Sequence, residues 1–234
     1  MRHKVRLSVL LILAILLFSS SCQKTIYSKK PTTKADCLLE IIYKRGQTYY
    51  ATEPTKESLK MYIFTSAGQP IFDQDGQQIS SASLKTGQII NVSYDGYIIE
   101  TYPLQFSGIS GIKIEGSRSN NVDFLITQIS GMFPSTKPED KKHWDILFSG
   151  EPFLSESEKR AIEYILKENW IGAQITVTPE FSDEEKGTIQ VDFSNVGTQS
   201  MDVQITVDEK IEGVAPSVRK IHVVLSDGTW TIVK

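Results

Sequence analysis

Two cysteines, Cys22 and Cys37, and three histidines, His3, His143 and His222, are all that 234 residues hold of either type. So few exclude a disulfide scaffold, and no HExxH, CxxC or closely spaced His/carboxylate set can be drawn from them. There is no G-x-S-x-G, no P-loop, and no Ser, Thr or Cys beside a plausible His base. The chain thus predicts no catalytic residue, no cofactor and no metal ligand. Basic surface is lacking too: 25 Lys+Arg stand against 28 Asp+Glu, which argues against a nucleic-acid partner. Long apolar runs are equally scarce. Leu7 to Phe18 is apolar except for Ser8, but its 12 residues fall short of the about 20 that a spanning helix needs.

What that short run does fit is a signal segment. Arg2, Lys4 and Arg6 precede it with no acid among them, and Ser19-Ser20-Ser21-Cys22 follows. This resembles the bacterial lipoprotein signal, or lipobox, with Ser19 where the commonest motif has Leu. The resemblance implies cleavage before Cys22, lipidation of its sulfur, and a membrane-anchored protein. Two or more acyl chains suffice to hold a protein stably on a bilayer, at about 0.8 kcal/mol per buried methylene. The polar stretch that follows, residues 23–35, reads as a tether with Lys24, Lys29, Lys30 and Lys34. Removing residues 1–21 takes away three basic side chains and no acid, leaving 22 against 28, a net of −6. Cys37, in the predicted strand CLLEIIYK, is then the one thiol and reads as a buried structural residue.

From Asp36 to Glu115, short strands alternate with turns. LKMYIFT, QIINVSY, GYIIE and ISGIKIE are the clearest, and Asp95-Gly96 is the strongest hairpin signal. This pattern predicts a small antiparallel barrel or sandwich. At Asn120 the period changes to a helical one through Val122, Leu125, Ile126, Ile129, Met132 and Phe133, with a buried strand over FLITQI as the competing reading. Pro134 to Lys142 is a linker candidate with two prolines. Ser155 and Glu158 form a capping box, behind which Ala161, Ile162, Ile165, Leu166 and Trp170 line one helix face. Five strand-like segments follow, the last two joined at Asp227-Gly228. A helix laid across a curved antiparallel sheet is the expected outcome. Its outline is similar to cystatin-type or nuclear-transport-factor-2-like (NTF2-like) α+β domains, a likeness of architecture alone. Trp144, Trp170 and Trp230 are expected to pack against that helix.

The cluster Leu84-Lys85-Thr86-Gly87-Gln88, Tyr94-Asp95-Gly96 and Glu100-Thr101-Tyr102-Pro103-Leu104-Gln105 resembles the DUF3221, or YobA-like, family. These are small domains of unknown function in Gram-positive secreted lipoproteins. The resemblance spans residues 36–116 and implies a Gram-positive envelope protein with an OB-like barrel. It brings no activity and no catalytic residues. Glu100 to Pro103 reads as a structural corner or a recognition edge.

The expected fold is mostly β with α+β character: a small antiparallel OB-like barrel, then a helix packed on a curved antiparallel sheet. The expected organisation is a signal peptide at 1–21, a tether at 22–35 and a barrel domain at 36–133. A linker at 134–150 and an α+β domain at 151–234 complete it. The functional expectation is a non-enzymatic binding or structural module, anchored through Cys22 on the extracytoplasmic face of the cell membrane. Its partner would be an envelope protein, a peptide or a wall polymer. The alternative is a ligand-binding or enzymatic cavity between the C-terminal sheet and its helix, built on His222 with Asp192 or Asp202.

Overall fold

Strand β1 (Ala35–Arg45) has both faces covered from Leu39 to Ile42, and this organises everything around it. Leu39 and Ile41 enter one core, while Glu40 and Ile42 point to the opposite face. A bulge between Ile41 and Tyr43 accompanies the switch. A computed structural model describes residues 34–55, 58–132, 143–150, 153–170, 173–181, 186–210 and 213–233. The signal segment, Cys22, most of the tether and the 134–142 stretch lie outside the described residues.

The first sheet contains β1, β2 (Thr48–Thr52), β3 (Met61–Thr65), β4 (Ile71–Phe72), β5 (Gln78–Ile79), β6 (Gln88–Tyr94), β7 (Ile98–Ile99), β8 (Leu104–Phe106) and β9 (Ile109–Ser117). Their order is β5-β4-β9-β6-β1-β2-β3-β8-β7. Ile71 from β4 and Tyr62 from β3 share one buried cluster with Leu39, Ile41, Tyr49, Leu84, Ile90, Val92 and Ile112, so the sheet curls over its own core. It does not close. Strands β5 and β7 are two residues long and end the ladder on either side. Nor is it wholly antiparallel, because β3 pairs with β8 and β4 with β9 in parallel. The expected antiparallel barrel is therefore a mixed, open, curled sheet.

Helix α1 (Asn121–Ser130) follows, and strand β10 (His143–Gly150) begins a second sheet. That sheet continues through β11 (Gln174–Val177), β12 (Gly187–Ser194), β13 (Ser200–Asp208), β14 (Ser217–Ser226) and β15 (Thr229–Val233). Its order is β11-β10-β12-β13-β14-β15, and β10 pairs in parallel with both of its neighbours. Residues 143–150, assigned to the linker from sequence, are thus a strand between β11 and β12, and this sheet too is mixed.

Helix α2 (Glu156–Asn169) has the expected capping box, with Ser155 and Glu158 satisfying each other's backbone N–H groups. Both helices lie between the two sheets. A single buried cluster joins Ile42, Tyr50 and Met61 of the first sheet to both helices and to the inner face of the second. Trp144, Trp170 and Trp230 all belong to it, as the sequence suggests. The molecule is an α+β fold, mostly strand, with a helical layer shared by two sheets.

Asp95-Gly96 does not make a hairpin. Strand β6 pairs with β9, and Asp95 uses its carboxylate on the Ser107 hydroxyl (2.7 Å) and the Tyr97 N–H (3.2 Å). Asp227-Gly228 does make one between β14 and β15, with both residues at positive φ (51° and 75°) as a tight primed turn demands. A Cβ on Gly228 would lie 2.7 Å from the Arg118 carbonyl oxygen. Gly228→Ala should therefore cost about 2–4 kcal/mol, from backbone strain plus a collision with main chain. At Gly68, also at positive φ but with nothing within 4 Å, the same change should cost only about 1 kcal/mol. Urea unfolding midpoints of the two variants check the difference.

Candidate functional site: a carboxylate cleft at the junction of the sheets

Three residues between β9 and α1, with the first residue of α1, carry the junction. The Arg118 N–H donates to the Gly87 carbonyl (2.6 Å), and the Asn120 N–H to the Gly228 carbonyl (3.0 Å). Asn120 is the N-cap residue of α1, but its side chain makes no cap bond and instead accepts the Trp230 backbone N–H at 3.0 Å. Asn121 accepts the Trp230 indole N–H (2.9 Å) and donates to Glu158 Oε1 (3.1 Å). Glu158 Oε2 in turn takes the Ser155 N–H and hydroxyl, each at 2.7 Å. One hydrogen-bonded chain thus ties the second sheet's hairpin to the start of both helices.

Beside this chain lies a cavity of about 200 Å³. Glu40 and Thr52, cross-strand partners on β1 and β2, form one side; Glu53, Pro54 and Arg118 form the mouth. Phe153, Leu154, Ser155 and Glu158 close the far wall. The Phe153 ring is itself held by Phe193 (4.9 Å) and Trp230 (5.7 Å), so that wall is braced by the second core. The lining has hydroxyls but neither a histidine nor a thiol.

Glu40 is the unusual group. It is 8% exposed, and its one hydrogen-bond donor among the described residues is Arg118 Nη1, 3.4 Å from Oε2. That is long for a charge-assisted bond, which runs at about 2.7–2.9 Å. The same Nη1 donates to the Pro54 carbonyl at 3.0 Å, and the arginine side chain is half exposed. Burial, reinforced by the neighbouring Glu158 carboxylate, raises the Glu40 carboxyl to about 7, with Arg118 opposing. Glu53 behaves differently. Burial works against its charge, but hydrogen bonds from Ser58, Tyr62 and Lys60 hold its carboxyl below the usual range.

The sequence points to none of these residues as a site. The signal that could have exposed Glu40 is an acid set among Leu38, Leu39, Ile41 and Ile42 in a strand covered on both faces. The residues that it does single out fall elsewhere. His222 and Asp202 come together, with Nδ1 to Oδ1 at 2.6 Å, but on the exposed outer face of the second sheet. Hydrogen bonds from Asn195 and then His222 hold Asp202 below the ordinary carboxylate range. Asp192 is separate, engaged by the Ser149 hydroxyl and by Gln190 at 2.9 Å. The face toward α2 is filled by Trp144, Ile146, Ile189, Val191 and Ile205, all at most 1% exposed. Among the described residues the face toward α2 is thus packed with apolar side chains, and the His222–Asp202 pair lies on the opposite face.

Cys37 is half-buried in β1, and burial pushes its thiol up, which disfavours the reactive thiolate. At the Glu100–Pro103 corner, the Thr101 hydroxyl bonds the Pro103 carbonyl (2.7 Å) and the half-exposed Tyr102 ring meets Tyr164 edge-on at 5.6 Å. Among the described residues, no group of three or more His, Cys, Asp or Glu is placed to hold a metal ion. No helix among them is long and apolar enough to cross a membrane.

A raised carboxyl favours the folded state while it is protonated. The Glu40 contribution is fully present below its ordinary value of 4.5 and is lost as pH rises through about 7. Stability should fall by about 2–3 kcal/mol across that window. Glu40→Gln should flatten the decline and match or exceed the parent above neutrality. Urea unfolding at several pH values measures both.

No protein-family model matches this chain, and no curated protein is similar enough to count as a relative.

Proposed function

We propose that this protein is a lipid-anchored component of the bacterial cell envelope that works by binding. In this reading Cys22 carries the lipid, and residues 23–34 set the folded part off the extracytoplasmic face of the membrane. The folded part recognises an envelope protein, a peptide or a wall polymer. The resemblance of residues 36–116 to the DUF3221 family supports the Gram-positive address, and the basic–apolar–Ser-Ser-Ser-Cys order supports the anchor.

The observation that carries the binding role is the Glu40 cleft. Its walls come from β1, β2 and the turn after it, from the link between β9 and α1, and from the cap of α2, held by the Asn121–Glu158 hydrogen bond and by the packing of Phe153 on Trp230. A preformed polar cleft loses little conformational freedom when it is filled, which is what a recognition site requires.

The anchor is tested by metabolic labelling with an alkyne fatty acid and detergent phase partition. The parent should take label and enter the detergent phase, while Cys22→Ala should take none and stay aqueous. Aqueous partition of the parent would sink the anchoring. For the binding role, envelope extracts are passed over the immobilised protein. A component retained by the parent and released by Glu40→Gln supports the cleft; identical retention profiles for the two proteins count against it.

A further inference from the structure

We infer that the Glu40 cleft takes a primary alkylammonium group, with a lysine side chain as the form that fits it best. This rests on the binding role proposed above and gives it a ligand chemistry.

The first argument is an incomplete pair. Glu40 is 8% exposed and its Oε2 meets Arg118 at 3.4 Å; among the described residues no donor is placed on Oε1. A carboxyl oxygen that opens on a cavity accepts a donor readily, and an ammonium offers three. Glu158 does not compete for that role in the same way. Its oxygens are already occupied by Ser155 and Asn121, so it contributes charge rather than an open acceptor.

The second is charge. Glu40, Glu53 and Glu158 line the cleft with Arg118, and Glu53 is neutralised by Lys60 at 3.2 Å. Among the described residues one negative charge is left over when Glu40 is ionised, which suits a monocation and repels an anion. Burial and Glu158 hold Glu40 protonated up to about neutrality, so the incoming cation replaces a proton.

The third is shape. About 200 Å³ is smaller than the roughly 300–1,000 Å³ of sites for whole drug-sized ligands, and matches a single long side chain. Pro54, Phe153 and Leu154 give an apolar wall for a methylene stem, with the acid at its end. A second guanidinium would have to share the mouth with Arg118, whose Nη1 is held there by the Pro54 carbonyl.

The test is titration of the full lipoprotein in detergent micelles at about pH 8, where Glu40 is ionised, followed by calorimetry or ligand-observed NMR. The probes are Nα-acetyl-lysine amide, n-butylamine and the uncharged Nα-acetyl-norleucine amide. Saturable binding of the lysine amide, absence of binding by the norleucine amide, and at least a tenfold loss in Glu40→Gln are expected. Glu115→Gln, on the exposed side of β9, should bind as the parent does. Tighter binding of the lysine amide than of butylamine assigns the site to a side chain, and equal binding assigns it to a free amine. The parent alone supplies a second readout: affinity should fall about tenfold per pH unit below about 7, as a proton competes for Glu40. Equal binding of the norleucine amide, no saturation by either amine, or affinity indifferent to pH and to Glu40→Gln would overturn the inference. None of these results depends on Cys22, so failure here leaves the anchor standing, and failure of the anchor leaves this site standing.

Discussion

The carbonyl oxygen of Arg118 sits between two left-handed glycines, Gly87 from the first sheet and Gly228 from the second. Any Cβ at either position would come within 2.6 or 2.7 Å of it. That close approach lets two curled sheets and two helices meet at one point without a void. The bonds radiating from it, to Gly87, Gly228, Trp230 and Glu158, are the means by which the halves are registered. The cleft is a by-product of this geometry. It opens where the strand pair carrying Glu40 and Thr52 meets the cap of α2, and its depth is set by how far the junction holds them apart.

Local sequence exposed the elements whose causes are local. The Ser155–Glu158 box and the Asp227-Gly228 turn are each complete within a few residues, and both are present as read. Asp95-Gly96 has the same composition as a hairpin turn, yet β6 finds its partner in β9, because Val92 and Ile112 belong to the core beneath. Residues 143–150 were hidden for a related reason. A strand paired in parallel on both sides draws its hydrogen bonds from partners some 30 to 50 residues away, and nothing near it in sequence marks it. The prolines just before it suggest a linker, and the linker reading was carried too far.

The cleft itself was illegible for a deeper reason. Glu40 is ordinary in type and lies in a plausible strand; only double coverage of that strand turns it into a buried acid. The histidine of the alternative reading had the opposite fate. His222 alternates with apolar neighbours, and that period puts it on the outer face beside Asp202, on the same face as the Lys220–Gln204–Asp192 row. Rarity of a residue type drew attention to it, but strand parity decided where it went.

The Trp230 contacts with Asn120 and Asn121 close loops of about 110 residues. A chain delivered from its N-terminus presents Arg118 and both asparagines long before their partners exist. During that interval the first sheet can form its own core, while Ile42, Tyr50 and Met61 wait uncovered for the second. Loop closure over such a span is slow, and apolar surface left open meanwhile invites association. The junction therefore sets a time as well as a geometry: the interval during which a half-made molecule must be kept from its neighbours.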